Sequence, residues 1–406
     1  MECHLSSRSD SSYDAVCIGA GASGLVCAAA LAGRGLRTLL IEQNKKSGRK
    51  LYATGNGRCN LANAVLSDSA YYHNSFVASV VTEEAVAELK QYLEQTGIPL
   101  TARGDYLYPA SLQASSVVWA LTDAARLAGA SIRCEARVTH IRQDKDYTLQ
   151  LEDGDEIRTD RLVLSMGSPA APKLGAASAD TLYRIFEDLG LPYTKFAPAL
   201  CPLETVEDLS LLSGVRANAE LRMNDEKESG ELQFTDYGIS GIVTFNLSTC
   251  CRIKDTVSVD LLPERSMDEL TAFVLKQDPK RRLFAVLNGL LHEKLCSYLM
   301  ISCFGEAAVK EATEHFSEAD IRRLFQSAKE LQLTVKGKRG ELGQACRGGV
   351  STSVISPENF SVTGNESVPA RTSLAVTGEL LDVTGRCGGY NLMFAMISGR
   401  KAGLSL

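Results

Sequence analysis

The run Tyr13-Asp-Ala-Val-Cys-Ile-Gly19-Ala-Gly21-Ala-Ser-Gly24-Leu-Val-Cys-Ala-Ala-Ala-Leu31, followed by Leu39-Leu-Ile41-Glu42, leaves the N-terminal part of the chain little choice of fold. Residues 15–18 are a short apolar run, as in a strand buried on both faces of a parallel sheet. Gly19 permits a tight turn out of that strand. Gly21 has no Cβ, so its backbone can be approached closely by a ligand, and Gly24 lets the following helix pack against the strand. The helix is expected over about 23–32, with the flanking Ala22 and Ser23 at its start, where free N–H groups and the helix dipole favour an anion. Glu42 comes 18 residues after Gly24, at the end of a second strand, where an acid accepts from ribose hydroxyls. Strand, glycine turn, helix, strand and acid together indicate a dinucleotide-binding βαβ unit; the alternative is a turn that serves structure alone. The acid favours a ribose without a 2′-phosphate, hence FAD or NAD over NADP.

With 406 residues the chain has material for two or three domains and needs no disulfide staples. A net charge of −6 lends no support to a nucleic-acid partner. The basic runs Lys45-Lys46 with Arg49-Lys50, and 336–339, are local, and the second is expected to be a solvated loop. Twelve cysteines lie at irregular spacing, with no CxxC and no Cys/His grouping of zinc type, so no metal site is expected and a reducing, cytoplasmic setting is. Cys250-Cys251 is expected to pack within a strand. Residues 1–12 are expected to form a flexible tail. No apolar run approaches the roughly 18 residues of a membrane span, so no membrane partner is expected.

Helices are expected over 83–95, 117–127 and 180–189, the last ending at Gly190, and strands over 132–134, 138–142, 147–151 and 161–165. Asp153-Gly154 marks a hairpin turn. From 201 to 262 the pattern changes to short alternating strands (219–223, 231–234, 242–247, 257–261), as in an antiparallel sheet or small barrel. From 266 to 331 it becomes helical, opening on Ser266-Met-Asp-Glu269, a capping-box sequence, and 331–335 is expected to return to the sheet. The fold class is therefore α/β: a split Rossmann-type domain (13–195 and 345–406), an inserted antiparallel β-barrel domain (196–265 and 331–344) and a helical insertion (266–330).

A second glycine motif closes the chain: Gly378-Glu379-Leu-Leu-Asp382-Val-Thr-Gly385-Arg-Cys-Gly388-Gly389-Tyr390-Asn391-Leu392, expected between a strand at 374–376 and a helix from about 391. Such a helix start binds anions, and in a flavoprotein it faces the N1–C2=O edge of the isoalloxazine, where positive potential stabilises the reduced ring. Asp382 is placed to hold a ribityl hydroxyl.

Between the two lies Gly48-Arg49-Lys50-Leu-Tyr-Ala-Thr54-Gly55-Asn56-Gly57-Arg58-Cys59-Asn60. This loop and the closing motif resemble those of the two-domain flavoproteins of the aminoacetone-oxidase-like, or 3-dehydro-bile-acid-reductase-like, family. Leu107-Tyr-Pro109-Ala-Ser111, Pro198-Ala-Leu-Cys-Pro202-Leu203, Phe234-Thr-Asp-Tyr-Gly238-Ile-Ser240-Gly241 and Arg347-Gly-Gly-Val350 fall in the family's order, so the resemblance spans 13–403. It implies bound FAD, with contacts from Gly19, Gly21, Ala22, Ser23, Gly24, Glu42, Gln43, Arg49, Lys50, Asn56, Gly57, Arg58, Cys59 and Asn60. It also implies contacts from Val138 through its backbone, and from Gly378, Glu379, Asp382, Asn391 and Leu392. The chain departs from the family at Met166-Gly167-Ser168, at 175–180, at Ile242 and at Val354, toward the substrate side.

A flavin exchanges hydride at N5, with the protein setting orientation and electrostatics. The resemblance favours reduction of an activated C=C bond in a small molecule, an enone such as a 3-oxo dehydro-steroid or bile acid, with NAD(P)H as a transient donor. The alternatives are an amine oxidase using O2, and a flavin-binding protein that is non-catalytic or modifies RNA. No second GxGxxG follows a strand, and a disulfide reductase would need a redox-active cysteine pair. No residue is identified as catalytic: Cys59 is expected to be structural, while Tyr106, Tyr108 and Tyr237 are read either as proton donors in a pocket or as packing residues.

Overall fold

The computed structural model describes residues 12–72 and 75–406. The expected tail lies outside the described residues except for Ser12, which opens the first strand, Ser12–Ile18. By compactness the chain divides into two units, one running up to residue 197 and resuming at 345–406, the other comprising 198–344.

The first unit is built on a parallel sheet whose central strands are, in order, Arg371–Val376, Glu156–Leu164, Ser12–Ile18, Thr38–Ile41 and Ser131–Arg133. Thr38–Ile41 is buried at every position, so the helices cover both faces, as expected for a parallel sheet. The hairpin Val138–Gln143 with Tyr147–Leu151 continues antiparallel into Glu156–Leu164, turning at Asp153-Gly154 as the sequence indicated. Register aligns Ile18 with both Ile41 and Leu164, and Leu164 with Val376. The residues that follow these four, Gly19, Glu42, Ser165 and Thr377, therefore line the carboxyl edge of the sheet, where α/β folds bind their ligands.

Two helices rise from that edge. Ala22–Gly33 follows the first glycine turn and Tyr390–Ser405 the last. They cross closely because glycines remove the intervening side chains: a Cβ on Gly399 would stand 2.2 Å from the Ser23 carbonyl oxygen, and one on Gly403 2.6 Å from that of Cys27. A small three-stranded sheet, with Tyr106–Pro109 between Ala62–Asn63 and Leu100–Arg103, completes the part of this unit that bears on the site.

The second unit is a closed six-stranded barrel, Leu203–Thr205, Gly238–Ser240, Glu226–Phe234, Arg216–Met223, Thr256–Asp260 and Leu331–Lys338, the last pairing back to the first. Helices Met267–Leu275, Leu283–Leu287, Glu293–Phe304 and Glu318–Lys329 fall between its last two strands in sequence. Ser266 and Glu269 form the expected capping box, each satisfying the other's backbone N–H.

Three expectations in this unit are corrected. Residues 242–247 are no strand but the start of a helix, Ile242–Ser248, although their β-branched and aromatic residues favour a strand. Gly241, at φ +99°, turns the chain out of Gly238–Ser240, and the helix then buries Val243 and Leu247 one turn apart against the barrel core. Cys250-Cys251 consequently sits in the turn after that helix rather than in a strand. The basic run 336–339 is no solvated loop: it ends the strand Leu331–Lys338, where Lys338 donates to the Ser248 carbonyl, and Arg339 stacks on Tyr237 and pairs with Glu204 and Glu341.

Candidate functional site

Each residue of the first glycine turn has a separate physical reason to be there. Gly19 adopts φ +102°, and a Cβ on it would lie 2.5 Å from the Ser165 carbonyl oxygen. Gly24 takes an ordinary φ, but its Cβ would lie 1.9 Å from the Gly19 carbonyl oxygen, so it is fixed by helix–strand packing. Gly21 needs neither explanation: its φ is −86°, and a Cβ there would meet nothing within 4 Å. Backbone and packing would both accept a side chain at Gly21, so the protein itself does not require glycine there; a ligand that fills that space would. The helix that begins here has no side-chain cap and no acid in its first turn, which leaves its N-terminal N–H groups and dipole open to an anion.

Glu42 is almost wholly buried at the end of the second strand. One carboxylate oxygen accepts from the Ala20 N–H at 2.9 Å; the other accepts from the Asn44 backbone N–H at 2.8 Å and its amide at 2.7 Å. These three bonds hold the acid beside the glycine turn and, since a carboxylate has about four acceptor sites, leave one for a further donor. The Ala136 N–H bonds to the Glu42 carbonyl, which brings Val138 to the same end of the sheet. Gln43 donates to the Gly175 carbonyl, and Arg49 to the Asn44 side chain.

The remaining predicted residues gather from both ends of the chain. Lys50 and Glu379 form an ion pair of 2.6 Å. Gly378 lies against Ser23, so close that a Cβ on it would be 3.1 Å from that of Ser23. The segment Thr54–Gly57 is a short turn in which Gly55 and Asn56 are both left-handed, and Cys59 is left-handed as well, at φ +59°. Asn60 follows, and its buried side-chain oxygen has no hydrogen-bond partner among the described residues. Such an orphaned acceptor is uncommon in a folded protein and marks a place where a bound donor belongs. Arg58 is exposed, whereas Cys59 is fully buried and its thiol is pushed up to about 11 by that burial, a structural rather than a nucleophilic cysteine.

At the closing motif, Asp382 accepts from the Gly348 N–H at 3.0 Å. Asn391 uses both ends of its amide on Gly385, accepting from its N–H at 2.7 Å and donating to its carbonyl at 2.8 Å. The Asn391 side chain therefore shapes the turn at the start of helix Tyr390–Ser405. That helix begins at Gly389, φ +94°, without a side-chain cap or an early acid, like the first. Leu392, half-buried, packs against the core.

Sequence reasoning missed a buried hydroxyl cluster beneath both turns. Ser23 donates to Thr377 at 2.7 Å, Thr377 and Ser165 share a bond of 2.9 Å, and Ser398 accepts from the Gly378 N–H at 2.9 Å. All four hydroxyl residues are buried. The one signal in the sequence was the position of Ser165 and Thr377, each one residue beyond the end of a parallel strand; Ser23 and Ser398 lie on helices.

The comparisons agree with this geometry. The family model described as HI0933-like protein Rossmann domain matches residues 13–405. A 3-dehydro-bile acid delta(4,6)-reductase of Clostridium scindens is 31% identical, over 95% of this chain and 97% of that protein. A ribosomal RNA dihydrouridine synthase of Haemophilus influenzae is 28% identical, over 96% of this chain and 98% of that one. Among solved structures, the 3-ketosteroid-delta4-(5alpha)-dehydrogenase of Rhodococcus jostii RHA1 shares the fold at a TM-score of 0.50 and 15% identity, covering 97% of this chain and 96% of its own. The chain belongs to the HI0933-like family of flavin-binding Rossmann proteins and, with it, to the flavin-dependent oxidoreductases. Among the described residues no helix is long and apolar enough to cross a membrane.

Proposed function

We propose that this chain holds FAD along the carboxyl edge of its parallel sheet and reduces a carbon–carbon double bond conjugated to a carbonyl in a small molecule. The observation that carries the cofactor is Gly21, where backbone and packing would accept a side chain and the protein has none. Ser23 and its neighbours offer N–H groups to the pyrophosphate, and Arg49 adds positive charge. Glu42 takes the adenosine ribose, with Gln43 and the backbone at Val138 beside it. Gly378, Glu379 and Asp382 take the ribityl chain. The turn through Asn56, Gly57, Arg58, Cys59 and Asn60 would border the ring, with the unpartnered oxygen of Asn60 available there as an acceptor. The start of the last helix, at Asn391 and Leu392, supplies positive potential to the ring's carbonyl edge.

FAD, when bound, supplies the hydride, and a reduced nicotinamide dinucleotide replenishes it. The direction rests on the two kinds of relative. A delta(4,6)-reductase and a dihydrouridine synthase, by their names, each add two hydrogens across a double bond. In a 3-oxo-4,6-diene and in uracil alike that bond is conjugated to a carbonyl, which makes its far carbon electrophilic. A small enone is favoured over RNA because the chain is acidic, at −6, and RNA binding draws on positive charge.

The purified protein is expected to be yellow and to release FAD on denaturation. Reduced anaerobically, it is then offered a 3-oxo dehydro-steroid or a uridine-containing RNA; separately, the oxidised protein is offered an amine with oxygen. Reoxidation by the steroid supports the reading. Reoxidation by RNA alone, or peroxide release with the amine, transfers the chain to the other class, and a colourless protein that takes up no FAD removes the cofactor.

A further inference from the structure

We infer that the phenol of Tyr108 delivers the proton that completes the reduction, a role that rests on reading the chain as a reductase of conjugated double bonds. The strand Tyr106–Pro109 is the middle one of its small sheet, with Ala62 opposite Leu107 on one side and Thr101 opposite Tyr108 on the other. Side chains alternate along a strand. Leu107 and Pro109 turn inward and are buried, so Tyr106 and Tyr108 share the opposite face and are half-buried there.

That face carries two of the three motifs assigned to the cofactor. A Cβ on Gly388 would lie 3.1 Å from the Tyr106 ring and 3.1 Å from the Asn63 amide, which donates to the Gly388 carbonyl at 3.0 Å. A Cβ on Gly55 would lie 3.5 Å from the Tyr108 ring and 3.8 Å from the Cβ of Asn60. The closing glycine turn and the turn at 54–60, drawn from opposite ends of the chain, thus rest on neighbouring tyrosines of one strand. Tyr108 is the one beside Asn60, whose side-chain oxygen is itself unpartnered.

The tyrosines of this region differ in what their hydroxyls do. Tyr71 donates to the Tyr390 carbonyl at 2.8 Å, and Tyr390 to the Val65 carbonyl at 3.0 Å. Among the described residues the hydroxyl of Tyr108 has no hydrogen-bond partner. A phenol can serve as a general acid. Cys59, the thiol of the turn at 54–60, is fully buried.

The C=C π bond breaks; the β-carbon gains hydride with its electron pair, and the α-carbon gains the Tyr108 proton. The substrate is reduced by two electrons, a reduced nicotinamide dinucleotide is the ultimate donor, and water reprotonates the phenolate.

The test uses the FAD-loaded protein and Tyr108→Phe. The variant is expected to match the parent in flavin content, melting temperature and rate of flavin reduction by NAD(P)H. Its reoxidation by an enone should slow by about 100-fold or more, the usual contribution of a general acid. A second readout needs no turnover. Tetranitromethane should nitrate Tyr108 in the apoprotein, read by peptide mass, and added FAD with a saturated ketone should protect it. Unchanged reoxidation in Tyr108→Phe, or nitration of Tyr108 that FAD and ketone leave untouched, overturns the assignment while the reductase reading stands. A parent protein that binds FAD but is reoxidised by no enone overturns that reading, and the assignment with it.

Discussion

Lys50 and Glu379 stand 329 positions apart in sequence and meet in an ion pair of 2.6 Å. The pair ties the basic loop after the second strand to the closing glycine motif, so the two ends of the chain reach the site as one piece. Its side chains are 30% and 17% exposed, between the surface pairs worth about 0–1 kcal/mol and the buried ones whose breaking costs about 3–5 kcal/mol. Lys50→Met is therefore expected to destabilise the apoprotein by about 1–2 kcal/mol. In a double-mutant cycle with Glu379→Gln, urea unfolding should show a coupling of about 1 kcal/mol. Additive losses would mean that the two side chains act independently.

The glycines of the first turn should separate folding from binding. Gly21→Val introduces a side chain where the protein has space, so the chain should keep its melting temperature and lose most of its FAD. Gly24→Ala drives a methyl to 1.9 Å from the Gly19 carbonyl oxygen, which the backbone has to move to relieve. Overpacking of this kind costs about 1–3 kcal/mol, so Gly24→Ala should lower the melting temperature before FAD is considered. Flavin content and thermal unfolding, measured on both variants, check the contrast. A Gly21→Val protein with normal FAD would refute the role given to that position.

How far the sequence discloses this protein depends on the range of the interactions. The βαβ turn was legible because Gly19, Gly21, Gly24 and Glu42 act within one local unit whose spacing is dictated by strand and helix geometry. The barrel was legible as alternating strands, yet Ile242–Ser248 was misjudged, because burial against the barrel core overrode the strand preference of Ile, Val, Thr and Phe. The Thr377 hydroxyl cluster was invisible: Ser23, Ser165, Thr377 and Ser398 are ordinary residues in sequence, and they meet only through the register of two strands and the packing of two helices over their ends. Gly399 and Gly403 left a faint trace, two glycines four apart, which the long final helix concealed as an ordinary interior pattern.

Buried thiols make stability fall at alkaline pH. Burial pushes Cys59 up to about 11 and Cys251 to about 11 from an ordinary 9.0, and Cys296 to about 12. A raised value means that the folded state holds its proton where the unfolded chain has released it. The contribution is complete below pH 9.0 and is lost as pH rises toward 11, with a limiting slope of about 1.4 kcal/mol per pH unit for each thiol. Urea unfolding of the parent and of Cys59→Ala, from pH 8 to about 10.5, should show a shallower decline in the variant. Equal slopes would remove Cys59 from the linkage. Because its thiol stays protonated at neutral pH, Cys59 should also resist iodoacetamide in the native protein.

Thr377 provides the sharpest test of how the fold supports the site. Its hydroxyl accepts from Ser23 and bonds to Ser165, and its side chain is wholly buried. Thr377→Val keeps the shape and removes the oxygen, leaving the Ser23 hydroxyl without its acceptor at a cost of about 1–3 kcal/mol. Thr377→Ser keeps the oxygen and removes a methyl, at about 1 kcal/mol for the small cavity. The two variants should thus lose comparable stability by different routes. Their affinity for FAD should diverge, because Ser23 lies in the first turn of helix Ala22–Gly33, whose N–H groups are proposed to take the pyrophosphate, and only the valine releases Ser23 from its anchor. Flavin fluorescence quenching is expected to give a Kd raised about tenfold for Thr377→Val, equivalent to about 1.4 kcal/mol, and nearly unchanged for Thr377→Ser. If both variants weaken FAD equally, the cluster stabilises the sheet edge without orienting the helix start. If neither does, the glycine turn is held by Gly19 and Gly24 alone.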